Sequence, residues 1–171
     1  MNILRLVLLI LFSFKAFATE PANVYRSSQH PVSFRYTSTW EPVTAQASST
    51  LVLLYDRSGT GATANLSAIK ADRKEISEYD EQYFKEVFGT RFPGFKLRNI
   101  SYVDTVSGRM ALVEYDFHMI LQGQKIESTS LVAIRLYRGY RYMLVVNSMK
   151  ERVEKVRPDA EVMFGTFLPV N

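Results

Sequence analysis

The sequence predicts an α+β protein: an antiparallel sheet of about six or seven strands with a central meander, packed by a middle helix and a C-terminal helix. Three observations predict it. Gly108 to Ser148 reads as three long consecutive strands joined by two tight turns, Ile76 to Phe88 carries an apolar stripe at helical spacing, and a second set of helix signals closes the chain after Pro158. The meander is the clearest of the three. Ala111, Val113, Tyr115, Phe117, Met119 and Leu121 alternate with a second face that carries Glu114, Asp116 and His118, so one face is core and the other is mixed. Gly123 and Gln124 mark the first turn, and Arg138 and Gly139 the second, each glycine supplying a positive φ at little cost.

The other elements follow in chain order. Arg5, the apolar run Leu6 to Phe14 and the small-x-small triplet Ala16 to Ala18 have the pattern of a secretory signal peptide, with cleavage expected after Ala18. The run is shorter than the about 20 residues of a spanning helix. Residues 19–171 are then one domain, periplasmic or secreted. The chain has no cysteine, so neither a disulfide framework nor a lipid-modified cysteine holds it. Val24 to Arg26 is a short strand. Val32, Phe34 and Tyr36 alternate as the next, and Trp40 to Val43 resumes an extended course, with Trp40 covering the core edge. Leu51 to Tyr55 is apolar without a break, which predicts a strand covered on both faces.

Gly59, Thr60, Gly61, Ala62, Thr63 and Ala64 form a G-x-G-x-x-A string, but the second parallel strand that a dinucleotide site requires is missing. A hairpin loop leading into a strand at Thr63 to Lys70 explains both glycines, and no cofactor is implied. Asp72 to Glu75 and Ser77 to Asp80 offer two capping boxes for a helix that presents Ile76, Tyr79, Tyr83, Phe84, Val87 and Phe88 to the sheet and ends at Gly89. Pro93 and Gly94 mark a loop before a strand at Phe95 to Val106. Met149 to Val156 reads as a charged connection, with Pro158 in the first turn of the closing helix and Val162, Met163 and Phe167 toward the sheet.

Charge and residue types narrow the function. The formal charge is +4, and about +2 without Arg5 and Lys15, too weak a balance for a nucleic-acid partner. Seven basic residues against two acidic ones between Arg135 and Arg157 make a local patch suited to weak contact with anionic lipid or an acidic partner, or to guarding strand edges. A hydrolase would need a nucleophile beside a base; cysteine is absent and no serine lies in a G-x-S-x-G elbow. Glu114, Asp116 and His118 alternate on one strand face and are the candidate ligands of a divalent-metal envelope protein, provided a neighbouring strand contributes. Met110, Leu112 and Ile120 share that face. With Arg135, Arg138 and Arg141 they form the candidate surface for a protein partner.

His30 to Phe34, Trp40, the helix to Phe88, Gly108 to Tyr115, the hairpin through Gln124, Tyr140 to Val146 and Arg157 to Glu161 running into Phe164 and Phe167 together resemble the PsbP/Mog family over about Tyr25 to Leu168. The family includes thylakoid-lumen assembly subunits, a Ran-binding factor, DcrB-like envelope proteins and chaperones of secretion effectors. The resemblance implies a non-catalytic binding or chaperone-like module, and carries over no catalytic residue.

Overall fold

The computed structural model describes residues 23–45 and 47–170. The expected signal peptide lies outside them. The chain runs β1 (Asn23–Arg26), β2 (Val32–Tyr36), β3 (Trp40–Val43), β4 (Thr50–Asp56), β5 (Thr63–Lys70), α1 (Glu81–Phe88), β6 (Lys96–Thr105), β7 (Gly108–Leu121), β8 (Gln124–Tyr137), β9 (Tyr140–Met149), α2 (Val153–Gly165) and β10 (Leu168–Pro169). Seven of these strands form one antiparallel sheet in the order β3-β4-β5-β9-β8-β7-β6, and β1-β2-β10 form a small second sheet.

The meander β7–β8–β9 is the centre of the large sheet. Both of its turns are two-residue loops, between the pairs Leu121–Gln124 and Tyr137–Tyr140. Gln122 and Gly123 have φ of 51° and 78°, and Arg138 and Gly139 have 50° and 78°. Two successive positive φ values match the right-handed twist of the strands, which is how such a loop fixes register.

Each face of the sheet carries a core. On one, α2 and the small sheet cover Leu54, Leu66, Leu131, Ala133 and Leu144. On the other, a 3₁₀ turn at Ile76–Glu78 and α1 cover Ala111, Val113, Tyr115, Phe117 and Ile134. The second core is aromatic, with Phe84, Phe88 and Phe92 stacked in succession at 5.2 and 5.7 Å.

Five expectations are corrected. The middle helix is split: Glu75 and Glu78 form a capping box on the 3₁₀ turn, and Asp80, whose carboxylate accepts the Tyr83 amide at 2.9 Å, starts α1. β4 is covered on one face only, since Tyr55 is 41% exposed, because α1 reaches the β6–β8 side of the sheet and not this one. The closing helix starts at Val153, before Pro158, because Val153, Val156, Ala160, Met163 and Phe164 make a stripe that is buried from its first turn. Pro158 lies on the exposed side of this helix, where water can replace its missing N–H, whereas Val162 faces solvent. Finally, β1, β2 and β10 pair with one another and not with the main sheet.

The glycine string is the β4–β5 loop, with φ of 86° at Gly59 and 72° at Gly61. Asp56 holds it: its carboxylate accepts the Ser58 amide at 2.9 Å and the hydroxyls of Ser58 and Thr60, while Arg152 donates to the Gly59 carbonyl at 2.8 Å. No strand–turn–helix stands there to receive a nucleotide.

Candidate functional site

β7 sets out the expected site residues in one row on the α2 side, and the row changes character along its length. Met110 is buried, at 4% exposure. Leu112 is half-buried and packs on the core, Glu114 follows, Asp116 is buried, and Ile120 at the hairpin end is 67% exposed. The expected mixed outer face is therefore largely an interior. Met110, Arg135 and Arg141 do not belong to an outward surface, because α2, the small sheet and the segment after β5 cover the strands that carry them.

Each of the candidate metal ligands is occupied by a different neighbour. Arg157 on α2 donates to both Glu114 oxygens at 3.1 and 3.3 Å and also holds Glu154. Asp116 accepts from Arg98 at 2.8 Å and from Thr129 at 2.9 Å, with Lys150 at 3.2 Å. Arg98 reaches it because a bulge between Leu97 and Asn99 places an extra residue in β6. The His118 amide donates to the Pro93 carbonyl, and its ring lies over Gly94, where a Cβ would come within 1.9 Å of Nε2. Among the described residues, no group of three His, Cys, Asp or Glu side chains could hold a metal ion. The triad is consequently a set of three separate structural contacts.

Burial works against ionisation of Asp116, but the bonds from Arg98, Thr129 and Lys150 more than offset it, so this carboxyl titrates below its ordinary value of 3.8. The contribution to stability is complete above that value and is lost as pH falls through the lower folded-state value. We expect the urea midpoint to drop as the pH is taken below about 4, and Asp116→Asn, less stable at neutral pH, to show a shallower drop. Parallel pH profiles for the two proteins would assign the acid sensitivity elsewhere.

The basic residues separate in the same way. Arg141 turns to the α1 side, where Nη1 donates to Asp72 at 3.0 Å and to the Tyr83 hydroxyl, and its guanidinium lies 5.5 Å from the Tyr79 ring. Tyr79 and Tyr83 both donate to Asp72, at 2.9 and 3.2 Å. Burial first, and Asp72 second, raise the Tyr79 hydroxyl above its usual range. This cluster ties the segment after β5 to β9. Arg135 is buried at 3% exposure, beside Phe167, and donates to the Gly108 carbonyl and Thr105. Only Arg138 is exposed, at the β8–β9 turn.

A cleft of about 170 Å³ stays open between α2 and strands β6–β8. Leu112, Leu131, Ala160 and Phe164 give it an apolar floor, Asn99 and Ser101 of β6 form one side, and the Glu114–Arg157 pair lies at its rim. A dry apolar cavity near 150 Å³ holds a benzene ring, so the cleft has room for one aromatic or branched side chain. β6 is the last strand of the sheet, and no strand pairs with its outer side among the described residues. Of the residues lining this cleft, sequence singled out Leu112 and Glu114 and, in the basic patch, Arg157; Ser101, Ala160 and Phe164 carry no local signal of a site.

Known structures share the fold of this chain. Cyanobacterial PsbP (CyanoP) from Synechocystis sp. PCC 6803 superposes with a TM-score of 0.66 over 93% of this chain and 98% of its own, at 15% identity. This chain has the PsbP/Mog fold. The Saccharomyces cerevisiae Ran-binding protein Mog1p matches with a TM-score of 0.63 over 90% of this chain and 97% of its own, at 7% identity. LpqN of Mycobacterium tuberculosis, a protein involved in cell envelope biogenesis, matches at 0.55 over 90% and 88%, at 12% identity. No protein-family model and no curated protein sequence matches the chain. At these identities the PsbP/Mog fold is kept by pattern and packing, with few shared side chains.

Proposed function

We propose that this chain is an exported, non-catalytic accessory module of the cell envelope or of secretion, which binds an extended protein segment along β6 and takes one apolar side chain into the cleft under α2. The observation that carries the reading is the cleft's position beside an open sheet edge. A strand added to such an edge gains backbone hydrogen bonds, and its alternate side chains fall where a pocket can select them. The Arg98 bulge ends regular pairing at one end, which restricts the segment to the stretch from Asn99 to Thr105. Mog1p is a Ran-binding protein and LpqN serves envelope biogenesis, so the PsbP/Mog fold is compatible with protein binding and with an envelope setting. In this reading residues 1–18 direct export and 19–171 form the working domain.

A photoreactive residue at Asn99 should give a discrete protein adduct in cells, and Ser101→Trp, which fills the cleft from its side, should abolish that adduct without lowering the melting temperature. An adduct unchanged by Ser101→Trp, or the same adduct from a photoreactive residue at Tyr55 on the other face, would remove the cleft from the proposal. For the export step, intact-mass analysis of the recovered protein should show Thr19 as its first residue; a chain that retains Met1 would contradict it.

A further inference from the structure

The β1–β2 turn and the β8–β9 turn enclose a basin of about 360 Å³ that lies apart from the cleft under α2. Arg26, Ser27, Ser28, Gln29 and His30 line it from one turn and Arg138 from the other. No aspartate or glutamate lines it, and neither Arg26 nor Arg138 has an acidic partner among the described residues. By contrast, Arg57, Arg98, Arg141 and Arg157 each stand against a carboxylate. The Ser27 hydroxyl accepts the amides of Gln29 and His30, which gives the turn a defined shape, and His30 Nδ1 lies 3.3 Å from the Tyr142 hydroxyl.

A second, independent feature lies behind the basin wall. Pro31 and Val32 separate it from a cavity of about 10 Å³ that Arg135 lines. Arg135 is buried at 3% exposure, has no carboxylate partner among the described residues, and its Nε has no hydrogen-bond partner. Burial alone lowers its tendency to hold a proton, yet a guanidinium stays charged in proteins. A buried cation without a counter-ion is costly, and an anion on the other side of a thin apolar wall offsets that cost through a poorly screened field.

We propose that this basin binds a phosphoryl group, with Arg26 and Arg138 as its direct donors, the Ser28 hydroxyl and His30 beside them, and Arg135 acting through its field. Two guanidinium groups from separate turns suit a tetrahedral oxyanion, since each fork can donate two parallel bonds. The group is carried either by a free phosphate compound or by a phospholipid headgroup. Val170 also lines the basin.

The test uses the full mature chain. Inorganic phosphate is titrated calorimetrically, and co-sedimentation is measured with phosphatidylglycerol vesicles and with phosphatidylcholine vesicles. Arg26→Gln and Arg138→Asn, the latter chosen because asparagine tolerates the positive φ at that site, should each weaken binding about tenfold or more. Arg91→Gln, which removes one exposed charge elsewhere, should leave it within about twofold. Saturable phosphate binding or selective co-sedimentation with phosphatidylglycerol, sensitive to the two basin variants, supports the proposal, and the two arms tell the free compound from the lipid. Absence of both, or equal weakening by Arg91→Gln, would overturn it.

Discussion

Trp40→Ala is expected to lower stability by about 3–5 kcal/mol, since a large ring leaves a site that cannot collapse around the void. Trp40 is 2% exposed, on the edge strand β3, and its indole Nε1 donates to Asp159 on α2 at 2.8 Å. It therefore closes the α2-side core where the edge strand meets the last helix. For a domain of this size the melting temperature should fall by roughly 10 °C or more. Trp40→Phe keeps most of the ring and loses the bond to Asp159, which should cost only about 1–2 kcal/mol. If the two variants lose equal stability, the bond to α2 and not the packing holds this corner. Because Trp40 is the only tryptophan, its emission also follows wild-type unfolding directly.

Phe84→Ala should cost a similar amount, about 3–5 kcal/mol, from the opposite side of the sheet. Phe84 is fully buried, packs edge-on to Tyr83 at 5.5 Å and stacks on Phe88 at 5.2 Å. Removing it takes away the central ring that α1 lays on β7 and β8. The two cores share no side chain, so the losses from Trp40→Phe and Phe84→Leu should add within about 0.5 kcal/mol. A large interaction energy between them in equilibrium urea unfolding would mean that the sheet transmits packing changes from one face to the other.

The parts of the fold that sequence reveals are those specified by neighbours in the chain. Gly123 and Gly139 mark the loops of the meander because a two-residue hairpin needs positive φ, a demand that no distant residue alters. The apolar stripe of Tyr83, Phe84, Val87 and Phe88 marks α1 for the same reason, since helical spacing places them together whatever they pack against. The small sheet is less legible. β10 is two residues long and includes a proline, so it has almost no strand pattern, and it exists because α2 delivers it beside β2.

The candidate site divides along the same line. Sequence placed Met110, Leu112, Glu114, Asp116, His118 and Ile120 on one face of β7, and they do share that face. It could not show that the cover changes along the strand, from the core at Met110, through the cleft at Leu112 and the ion pairs at Glu114 and Asp116, to solvent at Ile120. Nor could it show that Arg135 and Arg141 turn inward, because an arginine reads as exposed until a neighbour such as Asp72 or a wall such as Phe167 is known. By itself the sequence determined the strands of the meander, their turns and the two helices, all properties of residues within a few positions of one another. Only the tertiary structure decided which alternate side chains are covered, which charges meet, and that a cleft and a basic basin stay open, because each depends on segments that are far apart in the chain and adjacent in space.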